Sequence, residues 1–415
     1  MSSKFNTWFR GQRLTLDADH LPVLTALQGA IWFHAASVGE FEQARPIIER
    51  IKDRCAVGPL HCKTASAVRP IVVTFFSPSG YEARKGYELA DGVFYLPLPT
   101  RRNARKFLDA LQPSLAIFVK YEFWPAYLKE LKKRDIPTYS ICSIFRPNQV
   151  FFKWWGRVYR KSLRCFTHLF VQDEASRVLL AQYGITQASV AGDTRFDRMQ
   201  AVTGDGLRVT DQRLAPIVDF TRGCERMIIA GSTWPKDEVL LAKYIGNLSL
   251  VNGFQSPITN HQSNKLILVP HELDEKHLHF IFNLFQGRFV RYSRATQASL
   301  IHAQVMVVDT MGLLSSIYRF GQVAYIGGGF GVGIHNTIEA AAYGMPVIFG
   351  PNYEHFREAQ DLIKVGAARS IKTYSELEAA LDTALDNHET IGAKAAAYVA
   401  SELGATDKIF EKIFV

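Results

Sequence analysis

The sequence predicts an α/β protein built from two doubly wound parallel sheets. Short apolar runs of strand length recur in both halves of the chain, and segments with helical spacing separate them. The runs are apolar throughout rather than alternating, as expected of strands covered on both faces. At 415 residues the chain also exceeds the roughly 100–200 residues of a usual domain.

In the first half the expected strands are AIWFHAAS (30–37), PIVVTFFS (70–77), SLAIFVK (114–120), TYSICSI (138–144) and HLFVQ (168–172), with helices over 39–54 and Arg101–Leu111. In the second half they are RMIIAGS (226–232), KLILVPH (265–271), VMVVDT (305–310), QVAYIGG (322–328) and PVIFGP (346–351). The expected division is an amino-terminal Rossmann-like domain over 1–200, a polar linker over 201–225 and a second such domain over 226–415, facing each other across a central cleft. Asn252–Asn264 reads as a polar surface loop. Ligands of such sheets bind outside the carboxyl ends of the strands.

Hydrophobic residues make up 47% and charged residues 21%, which excludes a disordered or low-complexity chain. Lys plus Arg number 48 against 39 Asp plus Glu, a formal charge of +9 that suits an anionic partner. Five scattered cysteines without a CxxC pair fit neither a disulfide framework nor a structural zinc site. No apolar run reaches the roughly 18 residues of a membrane span, and the stretch from Met1 to Asp17 is polar and basic. A soluble or peripheral chain is expected.

Several strand ends carry chemistry. Gly327–Gly333 follows a strand, but Val332 and Ile334 break the G-x-G-x-x-G spacing of a dinucleotide fold. These glycines suit close backbone approach to a ligand, or simply a tight turn. Just beyond, Glu339 stands in a first helical turn, either as a dipole partner or as an acceptor for a ribose diol. Asp309-Thr310-Met311-Gly312 ends a strand as a ligand-facing turn or a helix cap. Glu40 is placed at a helix start, where a carboxylate serves the dipole or acts as a general base. Glu122 lies among aromatics and needs a partner. Arg195 can grip an anion, or pair with Asp193 or Asp197.

The stretch Phe145–Arg164 interleaves aromatics with bases. That suits a membrane interface or an amphipathic lipid, or else a core helix with a solvated basic face. No nucleic-acid fold signature accompanies it. His271, His277 and His279 lack the H-E-x-x-H spacing, so no metal is expected.

Taken together, His34–Glu40, Phe123-Trp124-Pro125, Asp309–Gly312, His335–Glu339 and Gly350–Glu358 resemble, in order, the Kdo (3-deoxy-D-manno-octulosonic acid) transferases of lipopolysaccharide synthesis. The resemblance implies the GT-B architecture, with CMP-Kdo as donor, a lipid A precursor (lipid IVA) as acceptor, and no cofactor. GT-B chains commonly return their last helix to the first domain. It implies Glu40 as the base, with Glu122 and Arg195 stabilising the transition state, Arg195 standing where the family often has Lys. It assigns CMP binding to Pro270, His271, Met311, Gly312, Leu313, Asn336, Thr337, Ile338 and Glu339. His271 stands where many members carry Arg, and Lys120 replaces a common acid. The implied place is the cytoplasmic face of the inner membrane, whose surface is anionic, reached peripherally or through an anchor absent from this chain. The rival readings are a GT-B transferase using a UDP-sugar and a non-catalytic lipid-binding protein.

Overall fold

The computed structural model describes residues 11–12, 15–57, 69–204, 211–246, 264–285 and 287–415. The chain divides into two units, Met1–Arg198 with Glu402–Val415, and Met199–Ser401.

The first unit holds seven parallel strands: β1 (Ile31–Ala35), β2 (Ile71–Phe75), β3 (Gly92–Tyr95), β4 (Leu115–Val119), β5 (Thr138–Ser143), β6 (His168–Val171) and β7 (Ala188–Val190). Their spatial order is β3-β2-β1-β4-β5-β6-β7. β1 is central, with Ile31 opposite both Ile71 and Leu115. Its alternate residues feed two cores. Trp32 packs on Phe107, Phe118 and Tyr127 on one face. Ile31 and Phe33 join Phe41, Ile47 and Ile51 of helix Val38–Val57 on the other. Both faces being covered explains why the strand reads as one apolar run. Helix Arg101–Leu111 shows the local logic. Thr100 caps it through Oγ1 to the Asn103 N–H (3.2 Å), Ala104, Phe107, Leu108 and Leu111 form its buried stripe, and Gln112 ends it at φ 42°.

The second unit holds β8 (Met227–Thr233), β9 (Lys265–Pro270), β10 (Phe289–Arg291), β11 (Val305–Val307), β12 (Val323–Ile326), β13 (Val347–Phe349) and β14 (Ala368–Ser370), in the order β10-β11-β9-β8-β12-β13-β14. All its pairings are parallel. Both units are therefore doubly wound α/β sheets.

Two expectations differ from the structure. β3, β7, β10 and β14 were not among the expected strands, and these are the four sheet edges. An edge strand needs no continuous apolar run; β7 and β14 have no fully buried residue. Of the segment expected as a polar linker, 205–210 lies outside the described residues, and the described remainder is largely helical. Helix Thr194–Gly204 runs through the unit boundary, and helix Ala215–Thr221 buries Ile217 and Phe220 completely. The loop expected at 252–264 lies outside the described residues except Asn264, which is buried.

The chain's last helix, Ala405–Phe414, sets Ile409, Phe410 and Phe414 into the core of the first unit. Asp197 anchors its start, accepting from the Gly404 N–H (2.6 Å), the Thr406 N–H (2.7 Å) and Thr406 Oγ1 (2.7 Å). Among the described residues no helix is long and apolar enough to cross a membrane.

Candidate functional site

Each sheet reverses its winding once, between β1 and β4 and between β8 and β12. Loops leaving the two strands diverge there and open a crevice at their carboxyl ends. Glu40 and Glu122 follow β1 and β4 at the first of these places.

In the first unit Glu40 stands in the first turn of helix Val38–Val57, just beyond β1. One carboxylate oxygen, Oε2, accepts the Ala36 N–H at 2.5 Å. Burial pushes the carboxyl up to about 7, and the neighbouring Glu122 charge adds to this. The Ala36 N–H, His34 and Lys120 oppose the rise without cancelling it. Lys120 leaves β4 in a left-handed backbone conformation, φ 52°. Its N–H donates to Ile141 O (2.9 Å) and its carbonyl accepts from Ser143 Oγ (2.8 Å), so the unusual turn is held from both sides. The turn brings back Glu122, whose Oε2 lies 3.0 Å from His34 Nε2 and accepts Trp124 Nε1 at 2.7 Å. The buried acid thus has the partners it requires.

Arg195 lies in the first turn of helix Thr194–Gly204 and pairs with Asp193. Asp193 also accepts Gln43 Nε2 (2.9 Å), from the helix that carries Glu40, and Gln172 Nε2 (3.0 Å). Burial alone would raise the Asp193 carboxyl, but Arg195 and Lys120 hold it below the usual carboxylate range. Lys120 therefore acts electrostatically on both Glu40 and Asp193.

In the second unit the expected nucleotide residues surround the end of β8. His271 follows β9 and donates its N–H to Thr233 O (3.0 Å). Its ring packs against both Trp234 and His335, with centroids 4.9 and 4.3 Å away, and Trp234 Nε1 donates to His335 Nε2 at 3.3 Å. Burial and His271 lower His335 to about 4, and burial lowers His271 itself, so at neutral pH the stack is uncharged. Past β11, Met311 is exposed, Gly312 turns at φ 83° and Leu313 is buried. The next residue, Leu314, reaches Gly231 of β8 together with Tyr318. Asn336 Oδ1 accepts the Ile338 N–H (3.1 Å), and its Nδ2 donates to Glu339 Oε1 (2.9 Å), so Asn336 orients Glu339. Thr337 is buried, as is Ile338. Their helix, Ile338–Ala342, has five residues, too short to gather much dipole.

The glycine-rich loop turns out to be a device for close backbone packing. A side chain at Gly329 would strike the Gly350 backbone at 2.6 Å, and one at Gly327 would strike Ser232 and Thr233. The Gly328 N–H goes to Asp237 Oδ2 (2.9 Å), and those of Gly331 and Gly333 go to Gly328 O (3.0 and 3.1 Å). Asp237 also accepts Tyr325 OH (2.7 Å) and the Trp234 N–H (3.0 Å), and so pins the loop to β12 and to the turn after β8. Asp309 caps no helix: it holds Arg291 and the Ser293 N–H and Oγ.

Sequence reasoning missed His34, Asp237 and the Ser232–Trp234 turn. Ser232 has φ 53°, which its residue type does not announce. The three histidines do not cluster as a set. His277 turns inward, Nδ1 to Glu272 O (3.0 Å) and Nε2 to Glu238 (2.9 Å), with ligand atoms of Glu272 and Asp274 nearby. Both its ring nitrogens are thereby engaged by protein.

Residues 10–198 match the family described as 3-deoxy-D-manno-octulosonic-acid transferase (kdotransferase). Curated proteins of that name are similar across most of the chain. The one from Rickettsia typhi is 25% identical over 379 residues, 89% of this chain and 74% of that protein. The one from Bordetella pertussis is 25% identical over 407 residues, 93% and 87% respectively. The chain is a relative of the Kdo transferases. The matched stretch of this Kdo-transferase relative contains Glu40, Glu122 and Arg195. Its fold is also that of UDP-GlcNAc 2-epimerase from Neisseria meningitidis bound to UDP-GlcNAc: TM-score 0.63, 13% identity, 92% of this chain and 98% of the other. That likeness concerns the two-unit GT-B fold alone.

In this Kdo-transferase relative the aromatic and basic stretch divides. Phe145, Phe152 and Leu163 enter the core, while Trp154 is 90% exposed and Trp155, Val158 and Tyr159 are exposed with it. Lys153, Arg157 and Lys161 stand exposed among them. Gly156, the last residue of the 3₁₀ turn Trp154–Gly156, packs on the Val150 carbonyl and leaves no room for a side chain.

Proposed function

We propose that the protein transfers Kdo from CMP-Kdo to a lipid A precursor, lipid IVA, with inversion. Glu40 takes the proton from an acceptor hydroxyl as that oxygen bonds to the anomeric carbon of Kdo. The bond from that carbon to the phosphate oxygen breaks on the opposite face, and CMP leaves. The observation that carries this reading is the Glu40 carboxyl, raised by burial and by Glu122 to about 7 at the carboxyl end of β1. A base is most effective with a pKa near the working pH. Glu122 offsets the oxocarbenium charge of the transition state, and Arg195 supplies a fixed cation for phosphate or carboxylate.

The second unit takes the CMP. His271 and its ring neighbours form a flat uncharged surface beside the strand ends, and Glu339, oriented by Asn336, accepts from a ribose diol. The remaining assigned residues, Pro270, Met311, Gly312, Leu313, Thr337 and Ile338, shape the same region. The protein works at the cytoplasmic face of the inner membrane. Trp154, Trp155 and Tyr159, set among bases, dock on its anionic surface.

The test is CMP release from CMP-Kdo plus lipid IVA. Wild type releases CMP, and Glu40→Ala loses about 10²–10⁴-fold in turnover with CMP affinity nearly unchanged. Isothermal titration shows CMP bound in preference to UDP. A preference for UDP points to a UDP-sugar transferase, and binding of lipid IVA without CMP release points to a lipid-binding protein.

A further inference from the structure

His34 is fully buried at the end of β1, yet it is a polar residue in the middle of an apolar sheet. Its Nδ1 lies 3.1 Å from Thr74 O and 2.9 Å from Thr74 Oγ1. A carbonyl only accepts, so Nδ1 carries a hydrogen. The Thr74 hydroxyl oxygen itself receives Trp32 Nε1 at 2.9 Å, which fixes it in place. On the other side of the ring, Nε2 is 3.0 Å from Glu122 Oε2. A lone pair facing a carboxylate at that separation is repulsive, and a hydrogen placed between Nε2 and Oε2 turns the contact into a charge-assisted hydrogen bond. Trp124 Nε1 completes the set, 2.7 Å from the same oxygen and 3.1 Å from Nε2.

We propose that His34 is a positioning residue that shares a proton with Glu122, and so fixes both the orientation of that carboxylate and the charge it presents to Glu40. The proposal rests on the reading of Glu40 as the base. The charged groups facing Glu40 are His34 from β1 and Lys120 and Glu122 from the turn after β4, and its own helix start adds the Ala36 N–H. With the shared proton, His34 and Glu122 together are neutral and act on Glu40 as a dipole. Without His34 the full Glu122 charge faces the base, whose proton is then harder to remove.

The experiment measures CMP release against pH for wild type, His34→Asn and Glu122→Gln, alongside ¹⁵N NMR of histidine-labelled protein. In His34→Asn the acidic limb moves up by about one unit, so turnover at pH 7 falls several-fold and recovers near pH 9. Recovery with pH separates positioning from a damaged fold. In Glu122→Gln the dipole is gone, and because Glu122 raises Glu40 more than His34 lowers it, the limb moves down, by less than the His34→Asn shift. The NMR arm needs no turnover: in wild type a proton shared with Glu122 gives His34 Nε2 a protonated or strongly hydrogen-bonded shift, and Glu122→Gln abolishes it. An acidic limb unmoved in His34→Asn, or an Nε2 signal indifferent to Glu122→Gln, overturns the proposal. If His34→Asn does not fold, the NMR arm in wild type and Glu122→Gln decides. If wild type releases no CMP, the functional reading fails while the NMR arm still decides the shared proton.

Discussion

Arg195 places Nε and Nη2 on a single oxygen of Asp193, at 2.9 and 2.7 Å, and Asp193 is only 2% exposed. The cation proposed to meet the substrate is thus also the counter-charge of a buried acid. Removing one partner of such a pair strands the other in a medium that penalises charge. Arg195→Ala should therefore cost about 3–5 kcal/mol of stability in addition to activity. The double variant Asp193→Asn/Arg195→Ala should recover most of the stability and none of the activity. Urea unfolding beside CMP release separates the two effects. A fully stable, inactive Arg195→Ala would show that Asp193 does not depend on this partner.

Glu40 makes activity and stability depend on pH in opposite directions. A base works when ionised, so turnover should fall as pH drops through about 7. For stability, the folded value lies above the ordinary 4.5, so the folded state prefers the neutral acid. The cost of ionising it grows as pH rises from 4.5 to 7 and is complete above that. Glu40→Gln should then be inactive and more stable than wild type at pH 8, by about 2–3 kcal/mol. The gain should vanish near pH 4. Thermal unfolding midpoints at pH 4 and pH 8 check it, and equal gains at both would place the effect outside this titration.

The sequence exposed the interior of each sheet and concealed its rim. Trp32 and Phe33 are both buried because helices cover both faces of β1, and a continuous apolar run records that directly. The edge strands β7 and β14 carry no comparable record, since one side of each meets no further strand. Glu40 and Glu122 were visible as charges following apolar runs, and Arg195 as a cation between Asp193 and Asp197. Their partners were not, because the spacing of His34 and Glu122 along the chain says nothing of a 3.0 Å contact made through neighbouring strands. The glycines at 327–333 were legible as a turn, but their reason was hidden in Gly350 and Ser232, which only the folded backbone brings to them.

That packing separates glycines that look alike in sequence. A methyl group at Gly329 would meet the Gly350 backbone at 2.6 Å, which cannot move without shifting β13 and the turn after it. Gly331 has open space at the same point and φ in the ordinary range. Gly329→Ala should destabilise the protein by about 1–3 kcal/mol or more and weaken CMP binding with it, whereas Gly331→Ala should melt as wild type. Calorimetric melting and CMP titration of the two variants check this. Equal tolerance at both positions would mean the loop is not held by backbone contact.

The exposed aromatics at 154–159 make a separate prediction about lipid. Trp154, Trp155 and Tyr159 project beside Lys153, Arg157 and Lys161, whereas Arg160 lies over the Tyr183 ring at 4.7 Å and serves packing. Changing the packed arginine would confuse fold with binding, so it is left in place. Each base near an anionic surface contributes about 1 kcal/mol, so reversing Lys153, Arg157 and Lys161 to Glu should weaken sedimentation with anionic phospholipid vesicles by about 100-fold or more. The same variant should bind zwitterionic vesicles as wild type does. Trp154→Ser with Trp155→Ser should weaken binding to both kinds of vesicle, because it removes inserted apolar area rather than charge. Undiminished sedimentation of the charge-reversed variant on anionic vesicles would remove this patch as the membrane contact. The basic excess of +9 would then have to act elsewhere on the chain.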